Sequence, residues 1–196
     1  MSDSIKTKNA IAQGFKELME KKAFAKITVS DITSKCGLNR QTFYYHFQDK
    51  YELLNWIFYN EAIEPFVEGL SFDTWTDKLL TLLHTIRDGS RFYANALRTS
   101  YSEEFREYMH KVSSNVFVSV IEDVSGSYVV SEEDKLFIAR FFAYGITGSV
   151  ISWVTGGMKE PPETITAHIE KLVNDCQRLA VARYMNPETK KSTPME

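Results

Sequence analysis

The stretch from Thr28 to Lys50, TVSDITSKCGLNRQTFYYHFQDK, is compatible with very few folds. It holds two short amphipathic segments, each opened by a residue that caps helices and separated from the other by a glycine. Thr28 is placed to cap a helix over Val29–Cys36, with Asp31 at the capping-box position and Ile27 and Ile32 at the spacing of a hydrophobic staple. Gly37 supplies the left-handed residue that ends such a helix at low steric cost. Asn39 caps the next helix, and Leu38 with Phe43 repeats the staple. Asp49 and Glu52 then form another box-like pair at the start of a third. Helix, glycine turn and helix within about twenty residues is the pattern of a helix-turn-helix unit that enters the major groove.

The second of these helices sets the character of the unit. Phe43 and Phe47 are four apart and share a face, so they should pack inward on the preceding helices. The opposite face then carries Gln41 and Tyr45, flanked by Thr42 and Tyr44. Arg40 and Gln41 fall in the first turn, where base edges are met. Arginine can bond guanine and glutamine adenine in bidentate fashion, and Thr42 can touch a thymine methyl or a phosphate. Lys50 falls in the first turn of the following helix, where a phosphate is readily held. Thr28 and Tyr44 are further phosphate candidates, and His46 is expected to be structural or phosphate-facing. For Thr28, capping is the firmer expectation.

Gln41–Leu54, QTFYYHFQDKYELL, resembles the recognition helix and next-helix start of the TetR family of bacterial transcription regulators. Thr42, Phe43, Tyr44, His46, Phe47, Lys50 and Leu53 match that family's pattern, and ITVSDITSKCGLN upstream resembles its first helix-turn-helix element. Asn39 and Arg40 depart from the residues most common there, so the operator sequence does not carry over.

Composition agrees with a regulator confined to one charged end. Of 196 residues, 43% are hydrophobic and 25% charged, the balance of an ordinary globular protein. The net charge of −3 is unevenly spread. Residues 1–50 hold eight lysines and one arginine against two glutamates and three aspartates, a net +4; the remainder holds 14 basic and 21 acidic residues, a net −7. A basic end on an acidic body confines phosphate attraction to that end. Cys36 and Cys176 are too few for a disulfide framework, and the N-terminus has no apolar run like a signal peptide, so a cytoplasmic location is expected.

The periodicity predicts an all-α protein: an N-terminal three-helix helix-turn-helix unit at 1–50, a helical dimerisation and signal-input domain at 51–185, and a disordered tail at 186–196, with about nine helices in total. Ile11, Phe15, Leu18 and Met19 form one stripe on a first helix over 4–22. Lys16, Lys21 and Lys22, mostly off that stripe, read better as a solvated face than as phosphate ligands. A helix from Lys50 to about Gly69 leaves the unit for the body, with Pro65 expected to end or kink it. Further helices are expected from Asp73 or Thr74 to Asp88, as a short segment over Arg91–Leu97, and from Glu103 to Asp123.

The helix over Glu132–Thr155 is apolar nearly all round, with Arg140 the sole charge between Lys135 and Lys159, so it must be covered on every side. Arg140, Thr147, Ser149 and Ser152 speak against a membrane span. Packing on its own core and on a second subunit fits better, and the TetR resemblance implies that the last two helices of each chain build a homodimer. Phe137, Phe141, Tyr144, Gly145 and Gly148 on that helix, and Ile169, Val173 and Cys176 on the last, are the candidates.

No phosphate loop, metal-binding HExxH or nucleophile elbow occurs, so no enzyme activity, cofactor or metal is expected. His84, Arg87, Tyr93, Asn95, Tyr144 and Trp153 offer the polar tips a small-molecule pocket needs, although ordinary core and surface positions show the same mixture. RFYANAL (91–97) and FFAYGITGSVISWVTGGMKEPPE (141–163) resemble the C-terminal region of regulators like the activator of the dihydroxyacetone kinase operon. That resemblance implies a DNA-bound dimer engaged by a protein co-activator related to a kinase subunit. The rival expectations are a repressor released by a small molecule and, more distantly, a helical interaction module that never meets DNA.

Overall fold

The structure, a computed structural model, describes residues 3–98, 102–125 and 130–185. The expected tail lies outside the described residues. Helix α1 spans Asp3–Met19, α2 Val29–Cys36, α3 Arg40–His46, α4 Lys50–Phe58, α5 Glu64–Val67, α6 Trp75–Asp88, α7 Ser90–Leu97, α8 Ser102–Ser125, α9 Glu132–Thr155 and α10 Pro162–Met185. A π turn over Tyr59–Ile63 joins α4 to α5 without a break, so these ten segments make nine rods among the described residues.

Pro65 explains the π turn. A proline has no N–H to give the carbonyl four residues back, and its ring crowds that carbonyl. The helix widens one turn earlier instead, and Glu64 N–H donates five residues back to Tyr59 O. The Asn60 side chain donates to Trp56 O at 2.8 Å. The rod therefore neither breaks nor stops at Pro65, but runs on to Val67.

Helix α1 stops three residues sooner than its periodicity suggests. Residues 20–22 form a turn, and Phe24–Lys26 a short 3₁₀ segment. Ile11, Phe15 and Met19 are buried as the stripe requires. Where α1 meets α2, a Cβ on Gly14 would lie 2.4 Å from Cys36 Sγ, which itself donates to Ala10 O at 3.3 Å. Glycine permits that approach.

One apolar cluster runs from Ile11 in α1 to Ile169 in α10. Phe15 meets Phe24 and Phe92 edge-on at 6.0 and 6.4 Å, and Phe58 meets Phe105 at 5.6 Å. The cluster does not divide at residue 50. In the body, α8 and α9 lie side by side, α7 packs on both, and α10 packs on α6.

Helix α9 is long and apolar enough to cross a membrane, and its two faces account for that character. Ala139, Ala143, Thr147, Val150 and Val154 are buried inside the subunit, while Phe137, Phe141 and Tyr144 stand 62, 65 and 57% exposed. On α10 the expected interface needs correction. Ile169 is 8% exposed and belongs to the core, with Val173 packed partly against it, because this stripe covers the subunit's own apolar cluster. Cys176 is half-buried. The outward apolar positions are Leu172 and Leu179, seven apart on a neighbouring stripe and 62 and 72% exposed. That seven-residue spacing stands in the sequence beside the one that joins Ile169 and Val173.

Replacing Gly14 by alanine should lower the melting temperature, since overpacking costs about 1–3 kcal/mol against about 1 kcal/mol gained in helix propensity. In a Cys36→Ala background the same change should raise it. Thermal unfolding of the four proteins checks the reversal of sign.

Candidate nucleic-acid interface

The unit is assembled by caps before it is assembled by packing. Thr28 is extended, its Oγ accepts from Asp31 N–H at 3.1 Å, and Asp31 Oδ2 accepts from Thr28 N–H at 2.8 Å. Lys22 Nζ reaches the same carboxylate oxygen at 2.8 Å. The Lys22 ammonium, then the Thr28 donors, hold Asp31 well below the usual carboxylate range. Gly37 takes the left-handed conformation at φ 67°, and Leu38 N–H returns to Thr33 O at 2.9 Å. Asn39 then caps α3, its Oδ1 accepting from Thr42 N–H at 2.8 Å.

Seven residues of α3 divide cleanly between two faces. Phe43 is buried, Phe47 closes the helix as a buried extended residue, and their rings lie 5.9 Å apart. On the other side Arg40 and Gln41 are exposed, with Tyr44 56% and Tyr45 82% exposed. His46 is half-buried, edge-on to the Tyr45 ring at 4.9 Å. Thr42 is half-buried and gives its hydroxyl proton to Asn39 Oδ1 at 3.0 Å, which leaves its methyl and a lone pair.

Two of the expected phosphate ligands are engaged elsewhere. Thr28 gives both its N–H and its hydroxyl to Asp31 Oδ2, each at 2.8 Å, so capping takes all it has to donate. Lys50 Nζ donates to Phe24 O, Ala25 O and Ile27 O at 2.9, 3.3 and 2.8 Å, and sits 4.5 Å from the centre of the Phe24 ring. An ammonium has three protons, and all three are directed into the chain. Burial there lowers its pKa from the ordinary lysine value. The α4 N-terminus is likewise supplied with anions. Asp49 Oδ1 accepts from Tyr51 and Glu52 N–H, each at 2.8 Å. Glu52 reaches back to Gln48 N–H, one residue beyond the Asp49 N–H that a capping box would use. These carboxylates complement the helix dipole where a phosphate was expected.

Much of the basic surplus is similarly placed. Lys16 pairs with Glu61, Lys22 with Asp31 and Lys35 with Glu17. Lys8 lies over the Phe47 and Trp56 rings at 5.4 and 5.8 Å. Arg40, Lys21 and Lys26 stand exposed outside these pairs.

The residues singled out for a small-molecule pocket do not converge. His84 meets Arg87 and Glu163, Tyr144 stacks on His110 at 4.2 Å, Trp153 donates to Glu160 O at 2.8 Å, and Asn95 faces α1. An apolar cavity of about 60 Å³ lies elsewhere in the body, among residues that include Phe58, Leu79, Met109 and Val150.

Family models agree with this geometry. The model described as bacterial regulatory proteins, tetR family, matches residues 14–57, and that described as transcriptional regulator C-terminal region matches residues 73–175. The chain is 34% identical over 148 residues to the HTH-type dhaKLM operon transcriptional activator DhaS of Lactococcus lactis subsp. lactis (strain IL1403), covering 74% of this chain and 78% of the relative. The chain belongs to the TetR family. It is accordingly a transcription regulator and not an enzyme. A solved structure of the dihydroxyacetone kinase operon activator DhaS superposes with a TM-score of 0.72 at 30% identity, over 89% of this chain and 98% of that one. NalD, the secondary repressor of the MexAB-OprM multidrug efflux pump in Pseudomonas aeruginosa, superposes with a TM-score of 0.60 over 87% of this chain and 95% of its own. At 18% identity that likeness concerns the TetR fold alone.

The position of Lys50 within the TetR head has a direct consequence. Lys50→Met keeps the stem but withdraws a charged donor from three carbonyls, and should lower the stability of DNA-free protein by about 2 kcal/mol, the scale of hydrogen bonds to a charged group. Denaturant unfolding without DNA measures it, and a residue serving only a phosphate would leave that stability unchanged.

Proposed function

We propose that this TetR-family chain binds a palindromic operator as a homodimer and activates transcription of a dihydroxyacetone kinase operon in the cytoplasm. The observation that carries the DNA reading is the face of Arg40, Gln41, Tyr44 and Tyr45, turned outward on a helix held down by Phe43 and Phe47. Arg40 and Gln41 read base edges, Thr42 offers its methyl to a thymine, and Tyr44 with Arg40 meets phosphates. His46 supports the Tyr45 ring. Two such heads on one duplex would sit about 34–36 Å apart or a multiple of it.

The dimer reading rests on Phe137, Phe141, Tyr144 and Gly145, joined by Leu172 and Leu179, all exposed on the single subunit. Exposed aromatic and leucine side chains in this density are characteristic of an interface. Gly145 and Gly148 let backbones approach there. For the input, similarity to DhaS favours activation of a dihydroxyacetone kinase operon, and the resemblance of 91–97 and 141–163 adds a protein co-activator related to a kinase subunit. Drug-sized ligands occupy about 300–1,000 Å³, more than the apolar cavity of about 60 Å³, so a ligand-released repressor would use one of the hollows of about 420, 630 or 690 Å³ beside Tyr59, Tyr93 or Trp153.

A gel shift with DNA flanking the protein's own gene, against random DNA at two salt concentrations, tests the central statement. Retention of a specific band at the higher salt is expected; equal binding to both DNAs overturns it. On the bound operator, Gln41→Ala should cost about 1–3 kcal/mol and relax specificity at one position, with little loss on random DNA. Phe141→Glu should convert a species of twice 22.6 kDa into one of 22.6 kDa by light scattering. An unchanged mass would remove α9 from the interface.

A further inference from the structure

Helix α1 ends in a turn in which Glu20 N–H donates to Lys16 O, and Lys21 and Lys22 N–H donate to Leu18 O. The sequence after Met19, EKKAFAK, has no glycine to close the helix, and the last carbonyls of a helix need donors from somewhere. For Met19 O the donor comes from the body. Asn95, on α7, gives one amide proton to Met19 O at 2.8 Å and the other to Lys22 O at 2.9 Å. Its Oδ1 accepts from Phe24 N–H at 3.0 Å. The turn from α1 into the 3₁₀ segment is thus moulded around one primary amide, 71–76 residues distant in sequence. Asparagine suits this task because it presents two donors and an acceptor in one plane. Aspartate would turn acceptors on two carbonyls, and leucine would fill the space while withdrawing the amide from all three backbone groups.

The place of α7 gives the contact its meaning. Phe92, Tyr93, Ala96 and Leu97 bury the helix, and Phe92 meets Phe15 of α1 edge-on at 6.4 Å. The same helix packs on α9, and just beyond its end Arg98 donates to Thr155 O, the last residue of α9, at 3.2 Å. Helix α9 carries the exposed aromatic face described above. One short helix therefore touches both the outward-facing rod of the body and the chain segment that leads directly into α2 and α3.

The geometry points to Asn95 as a positioning residue for operator recognition: its amide fixes the head on α7, and so sets the half-site separation that a dimer accepts. The inference rests on the dimeric reading proposed above. Asn95 touches no DNA and acts through the path α9, α7 and the 19–24 turn.

The test uses full-length protein and an operator selected from random DNA by the wild type. Affinity is measured for that operator, for versions with one or two base pairs inserted between the half-sites, and for random DNA. Wild type should lose affinity steeply on insertion. Asn95→Leu should lose about tenfold on the native spacing, much less on the inserted sites and nothing on random DNA, so that its preference for one spacing collapses. If Asn95→Leu keeps the wild-type ratio between spacings, whether or not all affinities fall together, the positioning role is overturned. If the wild type itself ignores spacing, the dimeric reading falls and this inference with it. Should the leucine variant fail to fold, amide exchange in the wild type decides. A Phe24 N–H that exchanges far more slowly than those of Ala23 and Ala25 supports the latch, and one that exchanges as they do overturns it.

Discussion

The burial of Phe43 and Phe47 is the contact on which the functional face depends. A helix of seven residues has no independent existence in water, because nucleating it fixes more dihedrals than its few hydrogen bonds repay. Two aromatic rings 5.9 Å apart, sunk against α1 and α2, supply what local propensity cannot. Once those rings are fixed, the 3.6-residue period leaves Gln41 and Tyr45 no direction except outward. Orientation of the reading face follows from packing on the opposite side.

Everything near α3 that could be read in the sequence was local. The caps at Thr28 and Asn39, the left-handed Gly37 and, farther along, the bounds of α9 depend on partners within four residues, and they stand as the pattern implied. What was not legible depends on distant partners. The amide of Asn95 and the ammonium of Lys50 look like ordinary polar positions until the fold brings backbone carbonyls to them from 23–76 residues away. Lys50 is the instructive case. Its place at a helix start suggested an anion, whereas the acceptors it meets are carbonyls of the Phe24–Ile27 turn. Ile169 erred in the same way: apolar spacing marks a buried stripe without saying which chain covers it.

Charge behaves similarly. A surplus of +4 over fifty residues suggested phosphate attraction confined to that end, yet three of its lysines are tied to carboxylates and a fourth to carbonyls. Such pairing lowers non-specific attraction along a duplex, so on the proposed reading discrimination would rest more heavily on the few side chains of the α3 face. For a regulator that must ignore most of a genome, muted electrostatics around a sharply presented face is a workable division of labour.

The unbroken cluster from Ile11 to Ile169 bears on how such molecules can be recombined. Chimeric regulators are commonly imagined as a reader grafted onto a foreign sensor at the junction between them. Here a cut at residue 50 would strip the donor fragment of the amide that finishes its first helix and expose the flank of Phe15 to water. The exchangeable unit is therefore discontinuous along the chain, and a transplant that omits Ser90–Leu97 would carry the reading surface without its footing.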